Sequence, residues 1–135
     1  MDASTWTVIV SALSDADVNV CVEAAERLHA EVSAEDIPGL LSLLKSNDFF
    51  IREAAAWPLA ELAGPAVLAD LFEAYQRGLN EGHDGDSFAT ALIEIPSLHA
   101  KEARLKLEQL AVSEDQTVRT HASWLLEFCE GGRAA

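Results

Sequence analysis

The side chains with the most chemical potential in this chain lie close together, between Gly78 and Asp86. Within that stretch Glu81, His83, Asp84 and Asp86 supply three carboxylates and an imidazole, a donor set that could in principle ligate a hard cation. The spacing is not that of an EF-hand, and no second carboxylate cluster accompanies it. The expected state is therefore a solvated, mobile acidic loop that serves as a partner contact. His29, His83, His99 and His121 are scattered, with no His-x-x-x-His and no Cys-x-x-Cys, so a structural zinc is not expected. Cys21 and Cys129 each sit among apolar residues on a helical pattern and read as small, inert thiols. There is no Gly-x-Ser-x-Gly and no phosphate loop. These absences lead to an expectation of no enzyme activity, no metal and no cofactor.

Charge narrows the partners. The chain has 135 residues, half of them apolar, with 23 acids against 9 bases and a net charge of −14. That length makes one domain able to bury a core, and the apolar content is too high for a disordered acidic tail. Residues 1–45 and 46–100 hold most of the negative charge, and the only basic cluster is Lys101, Arg104 and Lys106. Phosphate backbones bind through many Lys and Arg contacts, so nucleic acid is an unexpected ligand and a basic protein an expected one. No apolar run approaches the ~20 residues that span a bilayer, so no membrane association is expected. MDASTW places no basic residue before an apolar run, so no secretory signal is expected. With free thiols, this indicates the cytoplasm.

The chain repeats itself. Shifting residues 14–28 by 31 positions brings Asp17 onto Asp48, Val20 onto Ile51, Ala24 and Ala25 onto Ala55 and Ala56, and Leu28 onto Leu59. A further shift of 67 brings Asp48 onto Asp115, Arg52 onto Arg119, Ala55 onto Ala122 and Trp57 onto Trp124. A degenerate copy lies between them, with Ala56 on Ala89 and Leu59 on Leu92. In each copy an Asp or Ser caps a helix with apolar residues at i, i+3, i+4 and i+7. A second helix follows: Ile37–Leu44, buried on nearly all sides, then Ala66–Leu79, then Leu98–Ala111 capped by Ser97. Pro38 and Pro65 fall where a first turn tolerates proline. Pro58 lies inside a helix and is read as adjusting its curvature. With Ser4–Leu13 as an N-terminal capping helix or oligomer seam, bearing an exposed Trp6, eight helices and no strand are predicted. The copies span 14–45, 46–79, 80–112 and 113–130 of a single domain.

The Asp…Val/Ile-Arg…Ala-Ala…Leu pattern resembles HEAT repeats, in particular the short bacterial kind also found in phycobilin lyases. The resemblance covers residues 10 to 130 and is strongest in the second and fourth copies. Cys21 stands where the Arg would be in the first, and the third has no Arg there. The resemblance implies an all-α, right-handed solenoid of about four antiparallel helix pairs, whose second helices line a concave face that binds a protein. It implies no single chemistry. The His-Glu pairs of the iron-binding HEAT enzyme deoxyhypusine hydroxylase are absent, as is the basic concave face of HEAT-like DNA glycosylases.

On the second of these helices Val67, Leu68, Leu71, Phe72 and Tyr75 form an apolar stripe, which leaves Asp70, Glu73, Gln76 and Arg77 outward. The expected partner-binding set is Asp70, Glu73, Arg77, Glu81, His83, Asp84 and Asp86. Arg52 and Arg119 are expected to make a ladder of turn contacts, guanidinium to an Asp or carbonyl of the preceding repeat, and Trp57 and Trp124 to pack between repeats. The expected function is a non-catalytic protein-binding module whose acidic concave face holds a basic protein, with an immunity or inhibitor protein as one form. The alternative is an adaptor or subunit of a larger enzyme assembly, such as a phycobilin-lyase-like cofactor-handling protein.

Overall fold

A computed structural model of the chain describes residues 1–129. The described residues form eight α-helices and no strand: α1 (Ala3–Leu13), α2 (Val18–Glu31), α3 (Ile37–Leu43), α4 (Phe49–Leu62), α5 (Leu68–Asn80), α6 (Asp86–Leu98), α7 (Ala100–Leu110) and α8 (Gln116–Leu126). Short 3-10 turns precede α3 (Ala34–Asp36) and α5 (Gly64–Val67). The architecture is all-α. No helix among the described residues is long and apolar enough to cross a membrane. Residue 130, the last of the expected fourth copy, lies outside the described residues.

One local geometry recurs where helices begin. Asp17, Asp48 and Asp115 occupy the N-caps of α2, α4 and α8, and each carboxylate accepts from the amide two residues on. This satisfies amides that have no partner within the helix. Two residues before each cap, a side chain accepts from the cap's own amide: Asp15 at 2.8 Å, Ser46 at 3.1 Å and Ser113 at 3.1 Å. Asp84 does the same for Asp86 at the start of α6, at 2.7 Å. Four residues after the cap, a side chain reaches back to the carbonyl of that bracing residue. Arg52 donates to Ser46 and Arg119 to Ser113, while Cys21 Sγ lies 2.9 Å from the Asp15 carbonyl oxygen. The thiol thus takes the place of a guanidinium, with one donor instead of five.

Packing centres on α4. Ala54, Ala55, Ala56, Ala60, Pro58, Ile51 and Leu59 are all buried, and the helix lies against α2, α3 and α6. Small side chains on several faces let three helices approach one axis. The helix buried on nearly all sides is therefore α4 and not α3, where Leu40 and Leu44 are buried but Leu41 and Leu43 only half so. α1 packs on α2, and α7 on α6, α8 and the Gly64–Val67 turn. α5 packs directly on α8, joining elements that the sequence pattern places in the second and fourth copies. Tyr75 is the hinge of that contact, stacked 6.1 Å from Trp124, edge-on to His121 at 5.0 Å and tilted against Phe88 at 5.7 Å.

Several boundaries differ from expectation. Ser97 does not cap the helix after it but lies within α6, which runs through the buried Ile95 and Pro96 to Leu98. The chain reverses at His99, whose ring nitrogen lies 3.2 Å from the Glu61 carbonyl oxygen. Gly64 makes room for that ring. Its φ is +42° and a Cβ would stand 2.6 Å from His99 Cδ2, so no side chain is accommodated. Trp6 is not an exposed anchor; it is half-buried, and its ring lies on Gly39 of α3. Trp57 and Trp124 both meet neighbouring helices, Trp57 with its ring 6.4 Å from His29 on α2.

Leu59 is fully buried and Val112 is 80% exposed. Leu59→Ala should lower unfolding stability by about 2–5 kcal/mol, and Val112→Ala by no more than about 0.5 kcal/mol. Urea titration followed by circular dichroism measures both.

Candidate functional site

α5 carries the apolar stripe expected of it: Leu68, Leu71 and Phe72 are buried and Tyr75 is half-buried. Its opposite side forms the wall of an open trough. One cleft of about 520 Å³ lies between α5 and the start of α8, lined by Ala69, Asp70, Glu73, Gln76, Arg77, Asn80, Asp115, Thr117 and Val118. An adjoining cleft of about 180 Å³ lies towards the end of α3, lined by Leu44, Lys45, Asp70, Glu73, Ala74 and Arg77. Asp70, Glu73 and Arg77 belong to both, so the two are continuous along the helix. Neither Asp70 nor Glu73 has an ion-pair partner among the described residues. Asp115 also faces the trough, but its carboxylate already accepts from the amides of Thr117 and Val118.

Arg77 is less available than the helical pattern implies. Its guanidinium donates to the Lys45 carbonyl at 3.3 Å, the Ser46 carbonyl at 3.2 Å, Asn47 Oδ1 at 2.7 Å and Glu81 at 3.2 Å. Gln76 is likewise engaged, donating to Asn80 at 2.8 Å while its carbonyl meets His121 Nε2 at 2.8 Å. Burial holds the His121 imidazolium below the ordinary histidine pKa. The free carboxylates of the trough are therefore Asp70 and Glu73, with Lys45 at one rim.

The stretch expected to be a mobile acidic loop has another role. Residues 78–80 belong to α5 and Asp86 to α6, so the connection is only Glu81–Gly85. Glu81 accepts from both Arg52 and Arg77. Arg52 is fully buried and also donates to the carbonyls of Ser46 and Asn47, at 3.0 and 3.2 Å. Its guanidinium carbon sits 5.5 Å from the centre of the Phe49 ring. His83 stacks on that same ring, with centroids 4.0 Å apart and planes within 5°. Asp84 braces the amide of Asp86, whose own side chain is exposed in the first turn of α6. Glu81 and His83 thus tie the α5–α6 connection to the start of α4, while Asp84 braces the start of α6. The seven expected residues divide accordingly. Asp70 and Glu73 share the trough, Arg77 bridges the trough and the tie, and Asp86 stands apart. Among the described residues, no three His, Cys, Asp or Glu side chains converge as a metal site.

Two contributors escaped the sequence reading. Asn47 and Lys45 enter only because Arg77 reaches across from α5, a pairing 30 or more residues distant in sequence. Arg52 was marked by its recurrence at Arg119, but its carbonyl contacts are to Ser46 and Asn47 of its own copy and not to the preceding repeat. They fall on the turn just before its own helix, while Glu81 lies beyond the second helix. Among the described residues Arg119 has only the turn carbonyls.

The trough is lined by carboxylates, side-chain amides, one hydroxyl and the cations Arg77 and Lys45, and its unengaged carboxylates can accept hydrogen bonds from an ammonium or guanidinium group. Comparison of the chain with protein-family models, with curated proteins and with solved structures finds no match.

Bonding to Arg52, reinforced by Arg77, holds the Glu81 carboxyl below the ordinary glutamate range. Its folded pKa is below its unfolded one, so its contribution to stability is present above pH ~4.5 and is lost as pH falls through the folded value. Glu81→Gln should lower the neutral plateau of the stability–pH curve and flatten its acid limb, the two proteins converging as pH falls through the folded pKa. Arg52→Ala removes two carbonyl contacts and a charged partner, and should cost about 2–4 kcal/mol at neutral pH. Thermal melts across pH test both.

Proposed function

We propose that this protein is a non-catalytic binding module that holds a basic segment of a protein partner in the trough along α5. The observation that carries the reading is the pair of unpartnered carboxylates, Asp70 and Glu73, on the shared wall of two continuous clefts. The lining also holds Ala69, Ala74, Leu44 and Val118, so a side chain entering the trough meets apolar surface beside those carboxylates. Ammonium and guanidinium groups on aliphatic stems match that combination. A net charge of −14 steers a basic partner from a distance and speeds its capture.

The architecture that presents this wall is read as a HEAT-like right-handed stack of helix pairs, with α5 as a second helix on the concave side. The recurring cap, brace and reach-back geometry at α2, α4 and α8 supports that reading. The direct α5–α8 contact makes the stack more closed at its C-terminal end than a linear one. Sequestration of a basic protein, as an immunity or inhibitor protein does, is the form of binding this arrangement serves best. Two free thiols fit a cytoplasmic setting.

The test is affinity capture from a native lysate at low and at high salt, with wild type beside Asp70→Lys/Glu73→Lys. The expected result is a basic protein retained by wild type, released by salt and lost by the double variant. Equal capture of the same proteins by both baits would overturn the assignment to the trough.

A further inference from the structure

The trough along α5 is not uniformly acidic. Towards the start of the helix stand Asp70 and Glu73, which have no ion-pair partner among the described residues. Glu73 and Arg77 are four positions apart, in the order that favours a pair within a helix. That pair is not made, because Arg77 is turned to Glu81 and to the turn of Lys45, Ser46 and Asn47. The other end of the trough is cationic. Arg52 and Arg77 share the one carboxylate of Glu81. Lys45 lines the smaller cleft, is exposed, and has no ion-pair partner among the described residues. Against these three cations stand Glu81 and Asp48, the N-cap of α4, so the local balance is positive in a chain of −14. Arg77 also keeps bonding capacity. Of the five N–H groups of its guanidinium, four are used, on Glu81, the Lys45 and Ser46 carbonyls and Asn47.

We propose that the trough takes a dipolar peptide segment, whose basic side chain lies against Asp70 and Glu73 and whose acidic side chain, on the same side, meets Lys45 and the remaining N–H of Arg77. This rests on the binding role given to the trough and narrows its partner. The helical rise from Glu73 to Arg77 is about 6 Å, and from Asp70 to Arg77 about 10 Å. In an extended chain, residues two apart point to one side and lie about 7 Å from each other. The spacing therefore fits a basic and an acidic residue separated by one other. A segment basic throughout sets a cation against Lys45 and Arg77, where like charge opposes it. The net charge of −14 draws a basic protein to the surface, and the cationic end selects which of its segments docks.

Two acetylated, amidated peptides test this, with identical basic flanks around a central Arg-Thr-Glu or Arg-Thr-Arg. Each is titrated into the nitrogen-15-labelled full chain at about 0.15 M salt, and binding is read from amide chemical shifts. The expected result is shifts at Asp70, Glu73 and Lys45, with the Arg-Thr-Glu peptide bound about fivefold more tightly despite its lower charge. Lys45→Glu should reverse that order, and Asp70→Lys/Glu73→Lys should weaken both peptides. Equal or tighter binding of the Arg-Thr-Arg peptide to wild type, with the same residues shifted, overturns the dipolar segment and leaves the trough as a site for basic ones. A preference that survives Lys45→Glu also overturns it. No shift at Asp70 and Glu73 with either peptide overturns the trough assignment itself.

Discussion

A buried guanidinium must be given acceptors, and much of this structure is arranged around supplying them to Arg52. The side chain has no solvent exposure, and an uncompensated charge in that position would be strongly destabilising. Two acceptors are the carbonyls of Ser46 and Asn47, which orient the turn before α4. The third is Glu81, just beyond α5, which brings the end of that helix to the start of α4. Arg77 grips the same turn from α5 and shares Glu81, so two cations and one carboxylate lock three segments together. The Arg52 Nε atom has no partner among the described residues, which leaves the network short by one bond.

The consequence for function is a division of labour among residues of one charge type. Glu81 is committed to the lock, Asp84 to bracing a helix start and Asp115 to capping one. Asp70 and Glu73 have no such employment, and they stand on the wall that the lock holds in place. That wall is held through the C-terminal half of α5, by the Arg77–Asn47 and Arg77–Glu81 bonds and by the Tyr75, His121 and Trp124 cluster against α8. A carboxylate on a pre-positioned helix loses little freedom when it meets a cation, which favours affinity.

Local chemistry was readable from the chain. The Asp caps at 17, 48 and 115, the apolar stripe of α5 and the all-helical composition all depend on residues within a few positions of one another. The errors share one cause. Ser97 was a plausible cap, but the buried stretch through Ile95 and Pro96 carried α6 past it, and His99 found its partner on α4. The Gly78–Asp86 stretch has the composition of a mobile loop, yet Phe49 and Arg52, some thirty positions away, hold it in place.

The sequence by itself determined which segments are helices, where most of them begin and which face of α5 is buried, because hydrogen bonding, capping and hydrophobic periodicity act over one or two turns. Only the tertiary structure decided that Arg77 and Glu81 are internal partners, that Trp6 is a packing residue, that α5 meets α8, and that Asp70 and Glu73 are the carboxylates left over in the trough. Whether a charge is available depends on which opposite charge the fold brings within reach, and that distance is not written in the spacing along the chain.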